Sequence, residues 1–246
     1  MLTGPQLLQE VEALLPEHRE RRFPPTETTA MFLAQVLSPD RSCRNIVDTV
    51  ATQRLLGNLP RCSTRTGGYC RARARLPAPM LAKLGRHVGQ LITQRTPSAW
   101  HWRGRPVRLV DGTTVTLPDT PANQAAYPQP GTQRPGLGFP QCRMVGLICL
   151  GSGGILNAAT SACRGKGSDE QTLLRSIFDT LRANDILLAD ALYASYFLLC
   201  ALRARGCDGL FAQQGARARS TDFRVGQRLG ARDHVVEWQK PKQKPE

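Results

Sequence analysis

The sequence predicts an α/β fold: a mixed sheet with flanking helices, preceded by a helical N-terminal region. Apolar residues recur at helical spacing through residues 1–96. From residue 105 the pattern changes to β-branched, alternating runs broken by turn residues. Further on, strand-like and helix-like runs alternate, which places helices on the faces of a sheet.

The elements follow in order. Leu7, Leu8, Val11, Leu14 and Leu15 predict a first helix, stopped by Pro16. Thr28–Leu37 predicts a second, closed by Ser38-Pro39. Cys43–Leu55 predicts a third, followed by Gly57-Asn58. Pro79–Thr93 predicts a fourth, with Met80, Leu81, Leu84, Val88, Leu91 and Ile92 on its apolar side, ended by Pro97. Between the third and fourth, Arg71, Arg73 and Arg75 stand at alternate positions. On a helix, two of them would share a face and the third would point away. A solvated basic helix and a contact with a DNA backbone both fit that spacing.

Val107–Leu117 reads as a strand interrupted by Asp111-Gly112, and residues 118–141, rich in Pro, Gly and Gln, as loop. Arg143–Leu150 and Ile155–Cys163 form a hairpin about Gly151-Ser-Gly-Gly154. Ser168 is the expected N-cap of a helix running to Ala183, with Asp169 and Glu170 in its first turn, where the dipole favours acids. Asp185–Asp190 is then a buried strand, Ser195–Arg205 a helix ended by Gly206, and Gly209–Gln213 a last strand. This gives a helical region over 1–96, a sheet core over 105–214, and the start of another element over 215–246.

Charge is the unusual bulk property. The 246 residues hold 33 Lys and Arg against 19 Asp and Glu, a formal +14, at an ordinary hydrophobic content of 41%. That excess implies an anionic partner, nucleic acid before a membrane surface, and its arginine bias suits phosphate. The eight cysteines include no C-x-x-C pair, and the four histidines do not flank them at zinc-ligand spacing, so reduced thiols are expected. No run approaches a membrane span and the N-terminus lacks a signal-peptide pattern, which predicts a soluble cytoplasmic protein.

Two aspartates carry the candidate chemistry. Asp111 breaks one apolar strand and Asp190 ends another, and a carboxylate in a buried strand is costly unless paired or metal-bound. Their separation (190 − 111 = 79) suggests neighbouring strands with converging acids. Mg²⁺ accepts such a pair, completing its shell with waters and substrate phosphate. The simpler alternative is that each caps a turn, since Asp-Gly is a common turn dipeptide. Gly151–Gly154 is a hairpin turn rather than a phosphate loop, because no Lys-Ser/Thr follows. Ser195 has no G-x-S-x-G frame. For Trp100, Trp102, Tyr127 and Phe139, packing in core or loop is the simpler reading and base stacking the alternative.

Several separated segments, in order, resemble the insertion-sequence-four type of bacterial DDE transposase. They are Val107-Arg-Leu-Val-Asp111-Gly-Thr-Thr-Val-Thr-Leu, Asn123-Gln-Ala-Ala-Tyr127-Pro-Gln, Arg134-Pro-Gly-Leu-Gly-Phe-Pro140, and Leu187-Leu-Ala-Asp190 with Tyr193 and Tyr196-Phe197. Thr221-Asp-Phe-Arg-Val-Gly-Gln-Arg-Leu-Gly230, Asp233-His and Trp238-Gln-Lys-Pro continue the match. The resemblance implies a ribonuclease-H-like core, with Asp111 and Asp190 as the first two catalytic and metal-binding acids, holding Mg²⁺ or Mn²⁺. It implies cut-and-paste strand cleavage and transfer on double-stranded DNA at terminal repeats and target, with Arg71, Arg73, Arg75 and Arg134 contacting DNA. It leaves a homodimer open. In such enzymes the third acid lies in a Tyr-x-x-Arg-x-x-x-Glu helix beyond a β-rich insertion, and residues 215–246 match only the start of that insertion. Neither Glu237 nor Glu246 fits the pattern, and Ala191 stands where relatives commonly carry arginine. The resulting expectation is a truncated transposase, with a non-catalytic DNA-binding remnant or inhibitor, or a nuclease on the same fold, as the alternatives.

Overall fold

The structure is a computed structural model. It describes residues 23–134, 136–213, 221–231 and 233–242, with isolated positions 9, 12, 13, 15 and 215. The helix expected over residues 7–15 lies outside these stretches. The chain divides into two compact units, residues 1–84 and 85–246.

In the first unit, α1 (Pro25–Leu37), α2 (Cys43–Leu56) and α3 (Thr66–Ala74) surround Phe23, Met31, Ile46, Val47, Tyr69 and Ala72. Pro25 suits a helix start because its missing N–H would have had no intrahelical partner. The Ser42 hydroxyl caps α2 by accepting from the Asn45 N–H at 3.1 Å. A buried polar group fixes how α1 and α3 meet: Gln35 Oε1 accepts from the Tyr69 hydroxyl at 2.7 Å, and its Nε2 donates to the Arg41 carbonyl at 2.7 Å. A fourth helix, α4 (Ala78–Gln94), carries the boundary between the units, which therefore falls inside a helix rather than after it.

In the second unit, among the described residues, β1 (Val107–Thr116), β2 (Gln141–Cys149), β3 (Ile155–Ala162), β4 (Ile186–Ala189) and β5 (Asp208–Phe211) form one sheet in the order β3-β2-β1-β4-β5. The first three are antiparallel, while β4 and β5 run parallel to β1. This is the mixed, ribonuclease-H-like sheet that the sequence predicts. Two short helices, α6 (Glu170–Ser176) and α7 (Tyr196–Ala204), cover one face. Val110, Val145, Leu147, Cys149, Leu187 and Ala189 from the strands pack there with Leu173 and Leu174 of α6 and Leu198 and Leu202 of α7. Each such leucine, fully buried, contributes about 1.5–3 kcal/mol. Ser195 caps α7 by accepting from the Leu198 N–H at 3.3 Å, and Gly206, at φ 72°, turns the chain out of it.

Three local expectations are corrected. Residues 118–141 are not all loop: Pro121–Ala126 forms a helix, α5, because the Thr120 hydroxyl accepts from the Asn123 N–H at 3.2 Å and Pro121 opens the first turn. The cap of α6 is Asp169, whose carboxylate accepts from the Thr172 N–H at 2.9 Å, while the Ser168 hydroxyl donates to the Gly165 carbonyl at 2.7 Å. That helix also ends early. After Ser176 the chain tightens into a 3₁₀ turn over Phe178–Thr180 and then extends, which buries Ile177 and Leu181 and brings the Thr180 hydroxyl to the Asn157 amide at 2.8 Å. Beyond the sheet, β6 (Gln227–Gly230) and β7 (Asp233–Val235) pair antiparallel. Among the described residues no helix is long and apolar enough to cross a membrane.

Candidate active site

The register of β1 against β4 decides where the two aspartates stand. Val107 pairs with Ile186, Arg108 with Leu187 and Leu109 with Leu188, so each partner lies 79 residues on. Asp111 and Asp190 have the same offset: Asp111 stands two residues beyond the last β1–β4 pair, and Asp190 stands just past the end of β4. Residues in register on parallel neighbours project to the same face. The burial assumed from sequence is overturned: both aspartates are exposed, because β1 emerges from the core after Val110 and β4 ends at Ala189. Asp111 Oδ1 accepts from the Gly112 N–H at 2.8 Å, and Asp190 Oδ1 accepts from the Leu192 N–H at 2.9 Å. Asp190 thus makes the turn-type bond of the simpler reading, whereas Asp111-Gly112 neither turns nor interrupts the strand, since β1 stays paired with β2 through both residues; each bond uses a single carboxylate oxygen.

A phenol ties the two acids to a third that sequence reasoning treated as a helix-start residue. Tyr193 is fully buried, and its hydroxyl donates to Glu170 Oε2 at 3.1 Å. Burial pushes this phenol well above the usual tyrosine range, and the negative charges of Glu170, Asp111 and Asp190 push it further the same way. All three carboxylates therefore lie within electrostatic reach of a single hydroxyl. Gly112 leaves the room: a Cβ there would collide with the Glu170 carboxyl group. No sequence pattern marks Glu170 for this place; only the packing of α6 over β1 puts it there.

Among the described residues, no group of three or more His, Cys, Asp or Glu is close enough to hold a metal ion. The two carboxylates expected from the sequence to hold a divalent ion, Asp111 and Asp190, are therefore not part of a larger cluster of such side chains among the described residues. Mg²⁺ tolerates so sparse a set, since it commonly keeps several waters and binds through one or two carboxylates plus substrate phosphates. Glu237 stands elsewhere, lining a cavity of about 490 Å³ with Tyr196, Asp222 and Trp238, and Glu246 lies outside the described residues.

The arginines separate. Arg71 and Arg75 line a cavity of about 810 Å³ in the first unit, joined there by Arg44 and Arg65. Arg73, on the other side of α3, turns inward: its Nη1 donates to Gln35 Oε1 at 3.2 Å, and its guanidinium lies 5.6 Å from the Phe32 ring centre and 5.8 Å from that of Tyr69. Arg134 is exposed in the segment between β1 and β2. Core packing does not describe Trp100, Trp102 and Phe139, which are 62%, 54% and 56% exposed, while Tyr127 is half-buried.

The sheet therefore carries one acid in its central strand β1 and a second at the end of the adjacent strand β4. The family described as "Transposase DDE domain" matches residues 102–244, and the chain belongs to it. It is 33% identical over 108 residues to the putative transposase InsZ of Escherichia coli (strain K12), covering 44% of this chain and 35% of the relative. It is 29% identical over 189 residues to the transposase InsG for insertion sequence element IS4 of the same strain, covering 76% of this chain and 41% of the relative. The insertion-sequence-four resemblance read from the sequence is thereby borne out, and the matches span 35% and 41% of those relatives' lengths. Similar solved structures are a piggyBac transposase synaptic complex with hairpin DNA (TM-score 0.39, 11% identity, 85% of this chain and 47% of that one) and a Mos1 transposase paired-end complex with left transposon end (TM-score 0.30, 11% identity, 80% and 60%).

Proposed function

We propose that this chain carries catalytic-core elements of an insertion-sequence-four type transposase, acting in the cytoplasm on double-stranded DNA by metal-dependent strand cleavage and transfer. The observation that supports this most is the β1–β4 register, whose 79-residue offset Asp111 and Asp190 share. These two residues hold the divalent ion, Mg²⁺ or Mn²⁺. When bound, such an ion supplies an activated water or 3′-hydroxyl and offsets charge at the scissile phosphate. Asp111 and Asp190 keep one carboxylate oxygen each on a neighbouring backbone N–H, which fixes the direction of the other. Arg44, Arg65, Arg71 and Arg75 take DNA backbone phosphates through their forked donors, and Arg134 adds a contact beside the sheet. Arg73 acts on the fold of the first unit rather than on DNA.

The test is a titration of Mn²⁺ into the wild-type chain and an Asp111→Ala/Asp190→Ala variant, read as loss of the free-ion electron paramagnetic resonance signal. Saturable binding that disappears in the variant is expected, and equal affinity in both would overturn the assignment. Incubation with labelled duplex DNA carrying an element end completes it: metal-dependent nicking supports a catalytic core. Salt-sensitive binding without nicking at any metal concentration points to a DNA-binding remnant instead.

A further inference from the structure

Arg108 has a buried ionic role that the proposed chemistry does not use. It lies three residues before Asp111 in β1 and so projects to the opposite face of the sheet, among Val110, Leu147 and Cys149. Only 7% of the residue is exposed. Its Nε donates to Asp185 Oδ1 at 3.0 Å, and Asp185 is itself buried, its Oδ2 accepting from the Arg182 backbone N–H at 2.8 Å. The guanidinium is nevertheless incompletely satisfied: Nη1 is fully enclosed and has no hydrogen-bond partner among the described residues. A buried donor of a charged group left without an acceptor is costly, so such groups have partners as a rule.

That guanidinium lines a cavity of about 790 Å³, to which α4, β3 and the 3₁₀ turn after α6 also contribute. Arg86 from α4 and Arg182 from the loop before β4 face the same cavity. Asp179 lines it too, and Asp185 pairs with Arg108, so three arginines stand against two carboxylates. The Asn157 amide donates to Thr180 within the lining, and the three arginines are the cationic side chains of that lining.

The geometry points to an oxyanion-binding site of the phosphate class on the sheet face opposite the two aspartates, with Arg108 at its base and Arg86 and Arg182 at its rim. A planar guanidinium held in place by Asp185 needs no further ordering to donate its remaining N–H groups, and phosphate offers oxygens that accept from them. The phosphate group could belong to a free phosphate or pyrophosphate, or to a DNA backbone, and the two sources are separable.

Pyrophosphate is titrated calorimetrically into the full chain in phosphate-free buffer. Saturable binding is expected, unchanged in Asp111→Ala and in Arg228→Gln, an exposed arginine of the β6–β7 hairpin. It should weaken by about tenfold in each of Arg86→Gln and Arg182→Gln, the loss usual for one charge-assisted hydrogen bond. Arg108→Gln would strand the Asp185 carboxylate and risk misfolding, so the rim variants carry the test, with their thermal unfolding measured alongside. A short duplex that displaces pyrophosphate, and binds more weakly to the rim variants, assigns the site to a backbone phosphate; pyrophosphate binding indifferent to duplex assigns it to a free one. Absence of saturable binding, or rim variants that bind as the wild type does, overturns the proposal.

Discussion

Arg71, Arg73 and Arg75 share one side-chain chemistry and stand in two different surroundings. The helical spacing of α3 sends Arg71 and Arg75 to an arginine-lined cavity and Arg73 to the Gln35 amide and two aromatic rings. Arg71→Ala and Arg75→Ala should each weaken duplex DNA binding and reduce the slope of log K against log salt by about 1, with unfolding unchanged. Arg73→Ala should do the reverse, costing about 1 kcal/mol of stability by removing one of the two donors to Gln35 Oε1 and the guanidinium packed on Phe32 and Tyr69, with little change in DNA affinity in the folded fraction. Fluorescence anisotropy across a salt series and urea unfolding separate the two cases. Equal salt slopes for all three variants would remove the distinction.

At the scale of elements, α6 is held by its cap and α4 by its close approach to β3. Asp169 shows the first. Desolvation pushes its pKa up, and the hydrogen bonds from the Thr172 hydroxyl and N–H, with the Arg175 charge, together outweigh it and hold the carboxyl below the ordinary aspartate range. A folded-state pKa that is depressed gives stability that is present above the unfolded-state value and lost as pH falls through the folded one. Acid unfolding monitored by circular dichroism should therefore show less pH dependence in Asp169→Asn below about pH 4, the ordinary aspartate range. At neutral pH, Asp169→Ala should cost about 1 kcal/mol as a lost N-cap. For α4, Gly89 lies so close to the first residue of β3 that a Cβ would collide with the Ile155 carbonyl, a backbone atom that cannot rotate away. Gly89→Ala should lower the urea midpoint by the equivalent of about 1–3 kcal/mol, although alanine is the better helix former. A midpoint that rises would show that the contact yields.

Across the whole molecule, a formal charge of +14 makes association with DNA an electrostatic event before it is a specific one. If six or more phosphates are neutralised, affinity should fall by about 10³-fold or more between 50 and 200 mM salt. Measuring duplex binding over that range checks this, and a flat profile would rule out backbone contacts as its main source. The same excess positive charge bears on the candidate site, where a tyrosine phenol bonded to Glu170 also feels the charges of Asp111 and Asp190, and any nucleic-acid phosphate brings more negative charge.

The sequence by itself determined the order of the five sheet strands and of the two helices between them, though not the helices over Thr66–Ala74 and Pro121–Ala126, and it determined the hairpin of β2 and β3, the spacing of the two aspartates and the cationic balance. Each is written in local periodicity, turn residues or composition, and the 79-residue separation turned out to be the β1–β4 register itself. Tertiary structure alone decided the rest. It ended α6 at Ser176 because burying Ile177 and Leu181 outweighed continuing the helix, and it exposed both aspartates because their strands leave the core just before them. It placed Glu170 over Gly112, Arg73 against Gln35, and the Arg108 guanidinium in a cavity built from distant segments. Such contacts join residues far apart along the chain, and no periodicity within a window of the sequence records which distant surface a side chain will meet.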